Sequence, residues 1–261
     1  MTIVKHELWQ SKTAFMIWTA AISFLLVVCI FLFPEMQGEM DAVGEMFASM
    51  GSFAAAFGMD RLNFGTLLGF YSVECGNILG LGGAFFASLI GVSSLAKEEK
   101  EKTAEFLLTH PISRMRVVTE KLAAILVQIT AMNLIILGLS LLSVNMIGES
   151  IPWKELFLMH GAYYLLQLEL ACICFGISAF LRRGSTGIGM GLAALMYFLN
   201  LIANMTKHAK FLKYITPFGY CEGADMIANG KLNTESVAIG LLFSCIGITA
   251  AYVLYSKKDI H

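Results

Sequence analysis

The sequence has few charged residues, and this shortage excludes most classes of water-soluble protein. Charged side chains make up 14% of the 261 residues and hydrophobic ones 57%, whereas soluble domains carry about 25% charged residues. Eighteen basic and nineteen acidic residues give a formal net charge of −1, so the chain lacks the basic surface typical of nucleic-acid-binding proteins. With a mean hydropathy of +0.71, the composition predicts a membrane protein that crosses a lipid bilayer several times and binds no nucleic acid.

Motifs for catalysis and for ATP binding are missing as well. No phosphate-binding loop of the form G-x-x-x-x-G-K-[ST] occurs, because Gly230-Lys231 is followed by Leu232 and lacks the upstream glycine. The zinc motif H-E-x-x-H is absent, and none of the five histidines lies deep in a predicted span. We therefore expect no catalytic residue, no metal site and no cofactor on this chain.

Six apolar segments are long enough to cross the hydrocarbon core, which takes about 20 helical residues. The predicted spans are approximately residues 14–33, 70–96, 122–148, 156–181, 184–206 and 236–256. An even number of spans places both termini on one side, and the connections on that side hold twelve lysines and arginines against six on the other. The excess of basic residues predicts that both termini are cytoplasmic. We expect one all-α domain over residues 1–261, with outer connections at 34–66 and 207–235.

The cytoplasmic connection 97–121 surrounds a short apolar run with charge. It contains six basic and five acidic residues, and Phe106, Leu107 and Leu108 lie between them. Pro111 ends the helix-prone stretch, since proline cannot donate to a helix, and Ser113 is suited to cap the third span. A charge run of this kind is ordinarily a solvated loop. The apolar residues within the charge favour a surface that docks onto a partner protein.

The spacing of these residues resembles the signature of permease subunits of type-2 ATP-binding-cassette exporters. The quoted segments are Glu98-Glu99, Thr103-x-Glu105-x-Leu107-Leu108 and Pro111-Ile112-Ser113-Arg114, with Thr103 where many relatives have glycine. Looser similarities are an outer helix after the first span, the turn Thr216-Pro217-Phe218-Gly219-Tyr220 and the ending Lys257-Lys258-Asp259-Ile260. The resemblance extends over essentially the whole chain.

This resemblance implies that the connection 97–121 forms a coupling helix, which seats in a groove on a separate ATPase subunit that binds ATP and Mg. It also implies a second permease chain, identical or related, and a multi-pass location in a cytoplasmic membrane, with a bacterial source expected. The chain itself would be a transport subunit and not an enzyme. The residues expected to couple to the ATPase are Glu98, Glu99, Glu105, Phe106, Leu107, Leu108, His110, Pro111 and Arg114.

The cargo is only broadly indicated. Spans rich in leucine, phenylalanine, methionine and glycine suit an amphipathic or apolar substrate, such as a drug, a peptide antibiotic or a lipid, and an ion is the alternative within the same family. An intramembrane enzyme and a membrane scaffold without transport activity are the alternatives of a different class.

Small residues four apart follow span two and mark a flat helix face. Gly76 and Gly80 begin this series, and Gly83, Ala87 and Gly91 continue it. Such a face lets another helix approach closely. The partner is either a helix of the same chain or, as the resemblance implies, a helix near the pathway at a dimer seam.

Polar residues within the predicted spans are the other candidates for the transport pathway. Glu169 is the only carboxylate deep within a span, where an ionised acid costs about 2.5–3.5 kcal/mol. It is either a substrate or proton site or a structural hydrogen-bond partner of Gln128 or Asn133. Asn200 and Asn204 lie one turn apart near the outer end of span five and either face a cavity or pack against another helix.

Two amphipathic helices outside the spans are also predicted. Trp9, close to Lys12, suits a short interfacial helix before the first span. In the outer connection 34–66, apolar residues at helical spacing indicate a helix that lies on the outer leaflet or caps the pathway. They are Val43, Met46, Phe47, Met50, Phe53, Ala54 and Phe57.

Overall fold

The computed structural model describes residues 2–39, 44, 46, 49–97, 113–181 and 186–257. Within these ranges the secondary structure is helical and contains no strand. Six helices are long and apolar enough to cross a membrane, which confirms the predicted all-α fold. We name them span one to span six in chain order; they are Lys12–Met36, Leu67–Ser93, Arg114–Met146, Trp153–Phe180, Thr186–Met205 and Thr234–Lys257.

Span four is the central helix of the bundle. It packs most extensively against spans two and six, while span one packs on span three and span five on span two. Small residues bring these helices close together: a Cβ added at Gly91 would lie 2.6 Å from the Ala171 carbonyl oxygen, and one added at Gly176 would lie 2.6 Å from the Gly247 carbonyl oxygen. Close backbone approach of this kind is typical of helices that pack in a membrane.

Span two is an α-helix interrupted by a π-helical turn. The segments Leu67–Cys75 and Gly82–Ser93 are α-helical, and Gly76–Leu81 between them is a π-helix. The Thr66 side chain caps the start of the span by accepting a hydrogen bond from the Gly69 amide. A π-helical turn shifts the faces of the two halves relative to each other, and such turns are frequent at functional sites.

The two ends of the bundle differ in their extra elements. At the N-terminal face, where span one begins, the helix Thr2–Gln10 lies against span three. At the opposite face the first connection contains short helices at Gln37–Glu39, Ser52–Ala56 and Met59–Arg61. The connection between spans five and six contains Lys207–Tyr214, Pro217–Tyr220 and Gly223–Asn229.

Two of the seven residues that predict the outer amphipathic helix, Val43 and Phe47, lie outside the described residues. The part that is described contains the helix Ser52–Ala56, in which Ala54 is buried and Phe53 is exposed. At the other face, Ser113 caps span three as predicted, because its hydroxyl accepts a hydrogen bond from the Arg116 amide at 3.3 Å.

Candidate functional site

Most of the predicted coupling residues fall in the segment 98–112, outside the described residues. These are Glu98, Glu99, Glu105, Phe106, Leu107, Leu108, His110 and Pro111. Arg114 is described, and its guanidinium group donates hydrogen bonds to the carbonyl oxygens of Tyr255, at 3.4 Å, and Ser256, at 3.3 Å. Arg114 therefore ties the start of span three to the end of span six.

A single carboxylate holds together the two ends of the connection 97–121. Glu7, on the N-terminal helix, accepts a hydrogen bond from the Lys121 ammonium group at 2.9 Å and another from the Lys97 ammonium group. The Lys121 side chain is fully buried and also donates to the Ser94 carbonyl oxygen at 2.7 Å. Burial acts to raise the pKa of Glu7, but the two ammonium groups hold it below its ordinary value of 4.5. We call Glu7, Lys97 and Lys121 the Glu7 clamp.

Further hydrogen bonds fix the N-terminal helix on span three. The amides of Ile3 and Val4 donate to one oxygen of the Glu120 carboxylate, at 3.1 and 3.4 Å, as expected for an acid at a helix N-terminus. The Ser11 hydroxyl donates to the Gln128 side-chain oxygen at 2.8 Å. The N-terminal helix thus contacts both ends of the connection 97–121, which the sequence predicts to dock onto a partner.

The sequence interpretation missed this clamp. The signal available in the sequence was the spacing of four residues between Ile3 and Glu7. This spacing places both residues on one face of an amphipathic helix, and that face is buried. A cavity of about 250 Å³ lies beside the clamp, between the N-terminal helix and the ends of spans two, three and five. Its lining mixes the clamp residues with apolar side chains such as Leu89 and Ile90.

Of the two alternatives for Glu169, the structural one, a hydrogen bond with Gln128 or Asn133, is wrong. The Asn133 amide donates instead to the Gln167 side-chain oxygen at 2.6 Å, and Gln128 is bonded to Ser11. Successive helical residues turn by about 100°, so Gln167 and Glu169 point to nearly opposite sides of span four. The Gln167 side meets spans two and three, whereas the Glu169 side meets span six.

Glu169 is buried against a glycine and a tyrosine. It is 1% exposed, and a Cβ added at Gly240 would lie 2.1 Å from one of its carboxylate oxygens. The Tyr220 hydroxyl lies beside the carboxylate. Among the described residues, no group forms a hydrogen bond of normal geometry with either carboxylate oxygen or with the Tyr220 hydroxyl.

Three of the other candidate pathway residues line one cavity. Gly76, Asn200 and Asn204 border a space of about 50 Å³ together with Tyr163 and Tyr197. The Asn204 amide donates to the Ala56 carbonyl oxygen at 3.1 Å. The side-chain oxygens of both Asn200 and Asn204 have no partner among the described residues. Glu169 does not line this cavity.

The small-residue face of span two meets span four of the same chain. A Cβ added at Gly76 would lie 2.9 Å from the Tyr163 hydroxyl, and one added at Gly80 would lie 3.0 Å from the Tyr163 ring. At Gly83 the added atom would lie 2.1 Å from the Gln167 amide nitrogen. These glycines make room for large side chains of span four.

A four-charge cluster joins the two connections on the opposite face; it consists of Arg61, Lys213, Glu222 and Asp225. The Arg61 guanidinium group binds both carboxylates, and the Lys213 ammonium group lies 2.5 Å from Glu222 and 3.4 Å from Asp225. Burial raises the pKa of Glu222 against the effect of Lys213, whereas the pKa of Asp225 is lowered by Arg61 and Lys213 despite burial. The cluster borders an open cavity of about 960 Å³.

Removing one cation from the cluster is expected to destabilise this face. In Arg61→Gln the buried Glu222 loses one of its two cations, so we expect a loss of about 1–3 kcal/mol in the free energy of unfolding, between the values for exposed and buried ion pairs. Thermal unfolding in lipid nanodiscs measures it. Asp60→Asn is the matched control, since Asp60 lies 3.9 Å from Arg61 and is exposed. Equal unfolding temperatures for the two variants would show that the cluster contributes no stability.

The comparisons with known proteins agree with this membrane architecture. A family model described as an ABC-2 family transporter protein matches residues 1–260, essentially the whole chain. A comparison with curated proteins gives no match. The family is one of multi-pass membrane permeases that work with an ATP-binding-cassette partner. The chain therefore belongs to the ABC-2 transporter family, as a membrane-spanning permease that acts as a transport subunit and is not itself an enzyme.

Proposed function

We propose that this permease couples ATP hydrolysis on a separate ATP-binding-cassette subunit to the export of an amphipathic or apolar substrate across a bacterial cytoplasmic membrane. ATP and Mg bind to the partner subunit. The docking surface is the connection 97–121, in which Phe106, Leu107 and Leu108 form the apolar centre. The observation that carries the proposal is the Glu7 clamp, because it fixes both ends of that connection to the transmembrane bundle.

The Glu7 clamp connects the docking segment directly to the transmembrane helices. Lys121 belongs to span three and binds the Ser94 carbonyl oxygen at the end of span two. Glu7 adds the N-terminal helix, which leads directly into span one. When the partner displaces the docking segment, spans one, two and three therefore move together, because these ion pairs connect the ends of the three helices.

The proposed pathway of the cargo runs past Gly76 and Asn200. The cavity at Gly76 and Asn200 holds about 50 Å³, whereas sites for drug-sized ligands occupy about 300–1,000 Å³. Opening of the helices is therefore required before an amphipathic molecule enters. The polar asparagines together with aromatic walls suit a ligand that has both polar and apolar parts.

A second permease chain is the proposed neighbour of span five. Leu195, Phe198 and Ile202 are about half exposed on one face of that helix, at the spacing of successive turns. In a cysteine-free background we expect Phe198→Cys to form a disulfide-linked dimer under mild oxidation, and Leu242→Cys on span six serves as the control. A dimer through Leu242 and not through Phe198 would place the seam on span six.

The proposed coupling is tested by isolating the natural partner. A tagged permease is purified from its native membrane, the co-purifying ATP-binding-cassette subunit is identified, and ATP hydrolysis by that subunit is measured with and without the permease in liposomes. We expect the permease to change the hydrolysis rate and the Phe106→Asp variant to abolish this change. Failure of any such subunit to co-purify or to respond would contradict the proposal.

The orientation also makes a testable prediction. With the six native cysteines replaced, single cysteines at Ser49 and Lys231, which are both exposed on the opposite face, are expected to react with a membrane-impermeant maleimide in intact cells. A cysteine at Thr103 is expected to react only after the membrane is permeabilised. Labelling of Thr103→Cys from outside would reverse the topology and remove the docking surface from the cytoplasm.

A further inference from the structure

Glu169 is an acid in the interior of the bundle, and the described part of the chain provides no counter-ion for it. Its two carboxylate oxygens have no hydrogen-bond partner among the described residues, and the residue is 1% exposed. An ionised carboxylate at the centre of a membrane helix costs about 2.5–3.5 kcal/mol on insertion scales. A group in these surroundings is therefore neutral, and a neutral carboxyl group carries a proton.

The groups that face Glu169 offer no positive charge to hold it ionised. Cys172 lies one turn along span four, and Tyr220 faces the carboxyl group from the connection between spans five and six. The neighbouring Cys221 thiol donates to the Ala162 carbonyl oxygen at 3.4 Å. Span six contributes the backbone at Gly240. Nothing among these neighbours, within the described part of the chain, forms an ion pair with Glu169.

Tyr220 connects this buried acid with the opposite face. It is one of the residues that line the open cavity of about 960 Å³ beside the four-charge cluster, and it is only 3% exposed. Its hydroxyl lies beside the Glu169 carboxyl group but outside the geometry of a formed hydrogen bond, and no other described residue bonds to it. The tyrosine therefore separates the cavity from the acid, and its hydroxyl is free both to donate and to accept a hydrogen bond.

We infer that Glu169 is a proton-binding site that exchanges its proton with the opposite-face cavity through the Tyr220 hydroxyl. In the loading direction, the Tyr220 oxygen accepts a proton from hydronium in the cavity, and the original hydroxyl proton passes to the Glu169 carboxylate. Hydronium becomes water, tyrosine is regenerated, and one negative charge is neutralised. Gly240 is suited to this role, because a side chain at that position would occupy the space of the carboxyl group.

Infrared spectroscopy of the full-length permease in lipid nanodiscs tests this inference without the ATPase or the substrate. At neutral pH we expect a carbonyl band of a protonated carboxyl group that is lost in Glu169→Gln and kept, at a changed position, in Glu169→Asp. Transfer into deuterated water is expected to shift the band, and Tyr220→Phe is expected to slow this shift several-fold. Glu74→Gln, on span two, is the control and leaves the band unchanged.

Three results would overturn the inference. Absence of a Glu169-dependent band across the pH range in which the protein stays folded would show that the acid is never protonated. A band that does not shift in deuterated water would show a sealed structural acid. A shift that is equally fast in Tyr220→Phe would remove the proposed route. None of these results depends on where the ATPase docks, so they leave the proposed function untouched.

Discussion

Phe106→Asp is expected to release the ATP-binding-cassette subunit from the permease. A few apolar anchors near the centre of an interface supply most of its binding free energy, and Phe106 leads the one apolar run within the charged connection 97–121. Aspartate at this position would bring an unpaired charge into an interface from which water is excluded, and the loss of its hydration costs several kcal/mol. Co-purification of the two subunits and permease-dependent ATP hydrolysis are the measurements, and both are expected to be lost.

The control for this prediction is Glu98→Gln, at the rim of the same segment. An exposed ion pair contributes about 0–1 kcal/mol, so this variant is expected to keep the partner bound and to change mainly the association rate and its salt dependence. Membrane insertion is expected to be normal in both variants, because neither change lies in a span. Binding that survives Phe106→Asp would show that the ATPase docks elsewhere.

Glu7→Gln is expected to produce the largest loss of stability. Glutamine keeps the size of the side chain but removes the negative charge of Glu7 from its ion pair with Lys121, whose side chain is fully buried. Removing one partner of a buried ion pair costs about 3–5 kcal/mol. Thermal unfolding in nanodiscs measures this loss. The matched control is Arg116→Gln, which removes the ion pair between the exposed Arg116 side chain and Glu120 on span three and is expected to cost much less.

The pH dependence of the clamp follows from the same contacts. Because the pKa of Glu7 is lowered from its ordinary value of 4.5, the clamp stabilises the folded state above that pH and loses this contribution as the pH falls towards the lowered value. We expect wild-type permease to lose stability on acidification in this range, and Glu7→Gln to lose less. Parallel pH profiles of the two proteins would show that Glu7 is not the group responsible.

Features set by local sequence were open to prediction. The six spans follow from length and apolarity alone, and the cap at Ser113 follows from a serine two residues after the helix-breaking Pro111. The helix of span three nevertheless begins at Arg114, well before the apolar run, because a helix continues past the bilayer into charged residues whose ends reach water.

Features set by contacts between distant segments were not open to prediction. No periodicity connects Glu7 with Lys121, or Arg61 with Glu222, and each pair meets only after the bundle has formed. The structural alternative for Glu169, a hydrogen bond with Gln128 or Asn133, failed for a related reason. The two candidate partners were chosen by residue type. In the structure the orientation of span four brings Gln167 to Asn133 and leaves Glu169 facing Gly240, while Gln128 is bonded to Ser11.

Site-specific photo-crosslinking tests the central claim most directly. A photoreactive amino acid at Leu107, in the docking segment, is expected to form a covalent adduct with the ATP-binding-cassette subunit in native membranes, with a yield that changes when ATP is added. The same group at Trp153, which is exposed at the start of span four on the opposite face, is expected to give no such adduct. An adduct at position 153 together with none at position 107 would contradict both the docking surface and the orientation.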